Sequence, residues 1–219
     1  MSWNQWPEQK PEEYTPEKID LQFDLVGSTI PADSAMLLSQ ALLSILPWLG
    51  EEKGAGIQLL KGAETNSGDA TVNLNRRTKL FLRVPKTRVD DTEILVGQSF
   101  NLDGHRLQVG NFKTRAFTPF SNIYAHFVDT SSAGEEQFVQ DVMRELEGDF
   151  QLRCGFICGK QQTLRAPTGV LFGYSLMLHD LPPHKSLRLQ DEGMGNNRLL
   201  GCGIFIPHKS IAPVVSVNI

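Results

Sequence analysis

Long apolar runs are missing from this 219-residue chain, and none approaches the roughly 20 residues that cross a bilayer. Its opening, MSWNQWPEQKPEEYTPEK, lacks a basic flank ahead of an apolar stretch. The expectation is a cytoplasmic protein without a membrane partner. Cysteine is scarce and odd in number, namely Cys154, Cys158 and Cys202. With three residues between the first two and no histidine at zinc-finger distance, these spacings exclude a disulfide framework and a zinc finger. Three reduced, mostly buried thiols are expected instead, with no metal and no cofactor. Nucleotide-binding fingerprints are absent too. A dinucleotide loop would need a glycine where Arg198 stands, and no Gly-Lys-Ser/Thr occurs. Positive charge is short overall, with 21 basic against 25 acidic groups and a net charge of -4.

That deficit is uneven. Residues 1–73 carry four basic and eleven acidic groups, and residues 116–150 carry one and seven. Residues 74–115 carry nine basic and four acidic, and residues 151–219 carry seven and three. Two segments are therefore net positive by four or five, and a polyanion responds to the local field more than to the total.

Periodicity predicts one pattern twice. IDLQFDLVGSTI (19–30) alternates as a half-buried strand does. After Pro31, leucines and isoleucine recur on one helical face from Leu37 to Leu46, with Asp33 or Ser34 as cap and Pro47 and Gly50 as stops. Strands GIQLLKGAE and RRTKLFLRVP follow, separated by the polar loop TNSGDATVN, then a short helix at 90–96 and a hairpin turning at Asp103-Gly104. The second half repeats the order. NIYAHFVDT is a strand, EEQFVQDVMRELEGDF a helix burying Phe138, Val142 and Leu146, and QLRCGFICGKQQTLRAPTGVLFGYSLMLHDL two or three strands with turns at Gly159-Lys160 and 167–169. A short helix from Pro182-Pro183, a glycine loop and the strand CGIFIPH close it. Two βαββαβ units in tandem predict an α+β fold of two ferredoxin-like (RRM-like) domains at 19–119 and 120–219, behind a flexible segment at 1–18.

The loop GMGNNRLLGCGIF (193–205) spends four glycines, which a chain does where something approaches its backbone closely. Its N–H groups and Arg198 are candidates to hold phosphates, with Asn196 and Asn197 as donors or left-handed turn residues. SLRLQDEGMGNNRLLGCGIFIP resembles the C-terminal signature of CRISPR-associated endoribonucleases that process repeat RNA, in the RAMP superfamily. LPWLGEEKGAGIQLLKG, RRTKLFLRVP and LDGHRLQVG resemble its myxobacterial-type subgroup, so the likeness runs over about 19–207.

The resemblance implies two ferredoxin-like modules, CRISPR repeat RNA as partner, other subunits of an effector complex as further partners, and no DNA contact from this subunit alone. It also implies metal-independent cutting by ribose 2′-hydroxyl attack, which yields a 2′,3′-cyclic phosphate and a retained guide. Where relatives usually place a histidine near the first helix this chain has Ser34, and Gln58 stands where the subgroup often has another. The alternative implied is therefore a weak or inactive subunit capping the guide's 3′ end. The catalytic candidates are Ser34 to position the hydroxyl, Lys53 and Lys61 to stabilise phosphate, and His105 as the exposed histidine. His126, in an apolar strand, is expected in the core, and His179, His184 and His208 are expected to be structural or solvated. The RNA-binding candidates are Arg76, Arg77, Lys79, Lys113, Arg115, Lys160, Arg165 and Arg188, with Gly193, Gly195, Asn196, Asn197, Arg198, Gly201 and Gly203 of the loop. Some of the strand cations must share a face, while QTLRAPTG has no aromatic for base stacking.

Overall fold

A computed structural model describes residues 13–61, 63–64 and 71–208. Most of the segment expected to be flexible, up to residue 12, and most of the polar loop lie outside the described residues. The first module runs β1 (Lys18–Val26), β2 (Thr29–Pro31), α1 (Ala35–Ile45), β3 (Gly56–Ile57), β4 (Ala63–Glu64), β5 (Thr71–Asn73), β6 (Lys79–Pro85), β7 (Ser99–Leu102) and β8 (His105–Arg115). The second runs β9 (Ile123–Val128), α2 (Glu135–Gly148), β10 (Gly155–Ala166), β11 (Gly169–His179), α3 (Pro183–Glu192) and β12 (Phe205–Pro207). The division expected between residues 119 and 120 falls in the exposed connector 116–122.

Sheet order states the architecture. The main sheets read β3-β6-β1-β8-β7 and β10-β11-β9-β12. Counting the four principal strands of each module in chain order, both read 2-3-1-4, the antiparallel ferredoxin-like order. β2, β5 and β4 form a small third sheet.

Three differences from the sequence expectations have physical reasons. The strand expected over 19–30 breaks into β1 and β2 around Gly27, where a Cβ would lie 3.0 Å from the Arg106 carbonyl oxygen. The short helix expected at 90–96 is a 3-10 helix, Asp90–Leu95, whose tighter turns suit a short connector. Gly159 and Lys160 do not turn the chain. β10 runs through them with a register shift between Cys158 and Gln161, and a Cβ on Gly159 would meet Ser175 Oγ at 2.1 Å. The Asp103-Gly104 turn does form, with φ of 52° and 85° that match the primed hairpin turn.

Each sheet buries one face. Leu38 and Leu42 of α1 pack on Leu21, Phe23, Leu80 and Leu82 of the first. Phe138, Val142 and Leu146 of α2, with Leu189 of α3, cover Ile123, Ala125, Leu176 and Leu178 of the second. A smaller cluster, including Ala35, Phe127, Leu164 and Cys202, joins the start of α1 to the β10–β11 hairpin and the glycine loop.

The modules are riveted by Arg83 of β6. Its guanidinium donates to Asp20 at 2.8 and 2.9 Å, to the Phe205 carbonyl at 3.1 Å and to the Gln190 carbonyl. Asp191 of α3 accepts the Lys18 and Glu17 amides at 2.9 and 3.1 Å and the Tyr14 hydroxyl at 2.7 Å, so residues 14–18 are strapped down.

Candidate functional site: the cleft between the two sheets

Strand alternation decides what the uncovered faces carry. On β1, Leu21 and Phe23 point to the core, so Asp20, Gln22 and Asp24 point the other way. Register adds Lys79, Phe81 and Arg83 of β6 and Lys113 and Arg115 of β8 to that open face. Asp24 is paired with Lys79 at 2.9 Å, and Asp20 with Arg83. Lys113 and Arg115 are left as exposed cations, Arg115 donating its Nε–H to Gln22 Oε1. On the second sheet Ile123 and Ala125 are buried, while Tyr124 and His126 stand on the open face, rings edge-on at 4.8 Å.

The two open faces meet in a cleft of about 610 Å³, whose lining includes Gln22, Gln58, Phe81, Arg115, Phe120 and Ile206. A small adjoining recess shares Gln58 and Ile206 and is also lined by His126. At its edge Lys61 Nζ lies 2.7 Å from His126 Nδ1. A lysine ammonium has only donors, so Nδ1 accepts and Nε2 carries the ring proton. Burial, then the Lys61 charge, then His208 push His126 down from 6.5 to about 4, and burial pushes Lys61 below its ordinary value. His126 is thus not the core residue expected. Its neighbours are apolar because they face the helices, whereas its own side is uncovered.

The glycine loop is built for a different visitor than phosphate. Eight of its backbone N–H groups, those of Gly193, Met194, Gly195, Asn196, Leu200, Gly201, Cys202 and Gly203, already donate within the protein. Gly195 donates to Glu145 at 2.9 Å, and Gly203 to the Phe127 carbonyl at 2.6 Å. Arg198 turns inward, donating to the Glu192 carbonyl at 3.3 Å and to that of Met194, and burial pushes its guanidinium down to about 10. Asn197 is left-handed and donates to Asp129 at 2.6 Å, while exposed Asn196 reaches Ser131 at 3.3 Å. What approaches the glycines is the protein's own backbone: a Cβ on Gly203, at φ 64°, would sit 1.8 Å from the Met194 oxygen. The expected phosphate cradle is corrected accordingly.

The remaining candidates scatter. Ser34 is buried at the start of α1, its carbonyl accepting the Leu38 amide at 2.9 Å. Lys53 is exposed in a turn before β3. His105 bonds Thr29 at 2.8 Å at the far end of β8 from Arg115, ten residues or roughly 33 Å along the strand. Arg76 and Arg77 are exposed in the turn before β6. Lys160 and Arg165 are exposed on β10, with Arg165 paired to Asp33 at 3.5 Å. Arg188 is held by Glu192 at 2.7 Å over the Phe150 ring. Tyr124, Phe81 and Gln22 were not among the candidates and His126 was expected in the core, although the alternation in NIYAHFVDT already puts Tyr124 and His126 on one side.

Among the described residues, no helix is long and apolar enough to cross a membrane, and no three His, Cys, Asp or Glu side chains cluster as metal ligands.

Comparison with known proteins adds a lineage to this geometry. Residues 19–210 match the family model described as Cas6 Crispr. The chain is 33% identical over 199 residues to the CRISPR-associated endonuclease Cas6 of Myxococcus xanthus (strain DK1622), covering 90% of this chain and 85% of that one. Its fold is similar to a solved CRISPR associated protein Cas6, at a TM-score of 0.61 and 11% identity over 88% of this chain and 100% of the other. It is similar also to a RAMP protein described as binding different RNA substrates, at a TM-score of 0.60 and 10% identity over 85% and 98%.

Proposed function

The chain belongs to the Cas6 family of CRISPR proteins, and on that premise we propose that it binds CRISPR repeat RNA in the cleft between its sheets and cuts it as a metal-independent endoribonuclease. The observation that carries the chemistry is the 2.7 Å contact between Lys61 and His126 on the open face of the second sheet. Lys113 and Arg115 supply exposed positive charge on the facing sheet, and Lys160 and Arg165, the latter beside Asp33, extend it along β10.

An ammonium prefers a phosphate to a neutral imidazole, so an entering phosphodiester draws Lys61 off Nδ1 and exposes a lone pair. The phosphate's charge also opposes that of Lys61, lifting His126 from about 4 toward the range of a working base. The 2′-hydroxyl proton passes to Nδ1 as the 2′-oxygen bonds to phosphorus. The bond from phosphorus to the 5′-oxygen breaks, and that oxygen takes a proton from Lys61. A 2′,3′-cyclic phosphate and a 5′-hydroxyl result, and the His126 proton returns to Lys61 over their contact. Product stays bound through the basic face.

The test is a repeat-RNA transcript incubated with the pure protein in EDTA. Cleavage to a cyclic-phosphate end is expected, falling about 10²- to 10⁴-fold in His126→Ala, with RNA affinity held within about threefold. Full-rate cutting by that variant, or loss of cutting in EDTA, refutes the chemistry. The absence of a histidine at Ser34 favours a second reading, a non-cleaving subunit that holds the guide's 3′ end, and tight binding with intact RNA selects it.

A further inference from the structure

Phe81 is the anomaly of the open face. It pairs in register with Gln22 on a surface otherwise polar, is only partly buried, and among the described residues packs into none of the three buried clusters. Phe120, 41% exposed, lines the same cleft. Rings only partly covered at the opening between two sheets keep apolar surface unsatisfied by either module, and an aromatic face on an open sheet of this fold suits the flat face of a base.

The flanking amides are already oriented. Gln22 gives its carbonyl oxygen to Arg115, leaving its NH₂ as the end that offers hydrogen bonds. Gln58 gives its NH₂ to Asp20 at 3.1 Å, leaving its carbonyl as acceptor. One donor and one acceptor beside a ring match the polar edge of a nucleobase, and the exposed Arg115 lies within the same lining for the phosphate. A cleft of about 610 Å³ falls in the usual range for such ligands, about 300–1,000 Å³. It shares Gln58 and Ile206 with the recess at His126.

We infer that this cleft is a base pocket, holding one unpaired nucleobase of the RNA against Phe81 beside the phosphate to be cut. The inference rests on the RNA-processing reading and adds to it a contact that fixes which phosphate meets His126.

The probes are 5′-fluorescein pentauridylate and a ribose-phosphate pentamer of the same length without bases, titrated into the full chain by anisotropy. Phe81→Leu should weaken pentauridylate about tenfold, within the range that stacking supplies, and leave the abasic pentamer within about twofold. Phe81→Trp should retain the affinity, and its added fluorescence should quench with pentauridylate and not with the abasic strand. That quenching decides the matter if the leucine variant fails to fold. Equal losses on both probes, or quenching by both, overturn the pocket. Displacement of pentauridylate by micromolar uridine monophosphate also overturns it, in favour of a small-molecule site. Equal wild-type affinity for the two probes with repeat RNA still cut overturns the pocket alone; failure to hold either probe or to cut repeat RNA overturns the functional reading with it.

Discussion

Replacing Arg83 by methionine tests whether the two modules are held as one body by a buried charge. The Arg83 side chain is 3% exposed and that of Asp20 12%, and the guanidinium also satisfies the Gln190 and Phe205 carbonyls of the second module. Arg83→Met takes the cation away from the Asp20 carboxyl, which among the described residues keeps the Gln58 amide at 3.1 Å, and strips two carbonyls of a donor. Breaking a buried pair from one side costs about 3–5 kcal/mol, and the Phe117 ring, 4.5 Å beneath the guanidinium, loses its cation as well. A loss of about 4 kcal/mol corresponds to a fall in Tm of about 8–16 °C for a chain of this size. Adding Asp20→Asn removes the stranded charge, so the double variant should recover about 2 kcal/mol, since a pair replaced on both sides is often near neutral. Urea unfolding followed by circular dichroism measures all three. A single-variant loss under about 1 kcal/mol, or a double variant no better than the single, would refute the claim that the pair's burial sets the cost.

Five further outcomes are expected. Gly203→Ala forces a Cβ to 1.8 Å from the Met194 oxygen at a left-handed φ of 64°, so it should destabilise by more than about 3 kcal/mol, seen as a lowered urea midpoint or insoluble expression. Folded His126 holds off its proton until about pH 4 while the unfolded chain takes it near 6.5, so the unfolded state binds more protons between those values. Stability is therefore full above about 6.5 and falls as pH drops to 4, by about 1–2 kcal/mol once solvent screening of the partly exposed ring is allowed for. In Lys61→Met the His126 titration, followed by NMR, should move up but stay below 6.5, because burial is the larger cause. Arg115→Ala should reduce the salt slope of RNA binding by about 1, whereas Arg198→Ala, whose guanidinium serves the loop's own carbonyls, should lower Tm and leave the slope unchanged; a slope change in Arg198→Ala would restore it to the RNA contacts.

The fold was legible because its signals are local. Alternation in IDLQFDLV and NIYAHFV, helical spacing at Phe138, Val142 and Leu146, and the Asp103-Gly104 turn each act within a few residues. The site was not, because its determinants are distant. Lys61 and His126 are 65 positions apart and belong to different modules. Alternation says that Tyr124 and His126 share a side, but only the placement of α2 and α3 says which side is covered. The glycine loop misled for a related reason. Its spacing announces a close approach without naming what approaches, and Glu145, Asp129 and Phe127, which take its amides, lie 50 to 76 positions upstream.

The same placement reconciles an acidic chain with the nucleic-acid partner proposed above. The seven acidic and one basic groups of residues 116–150 lie mostly on α2, which packs on the covered face of the second sheet, away from Tyr124 and His126. On the first sheet's open face four cations meet two acids, and both acids are already bound to Arg83 and Lys79. The net charge of -4 therefore does not describe the first sheet's open face, where cations outnumber acids. Repulsion from the acidic back and attraction at the cleft act in the same direction, orienting a polyanion toward the sheets before any specific contact forms.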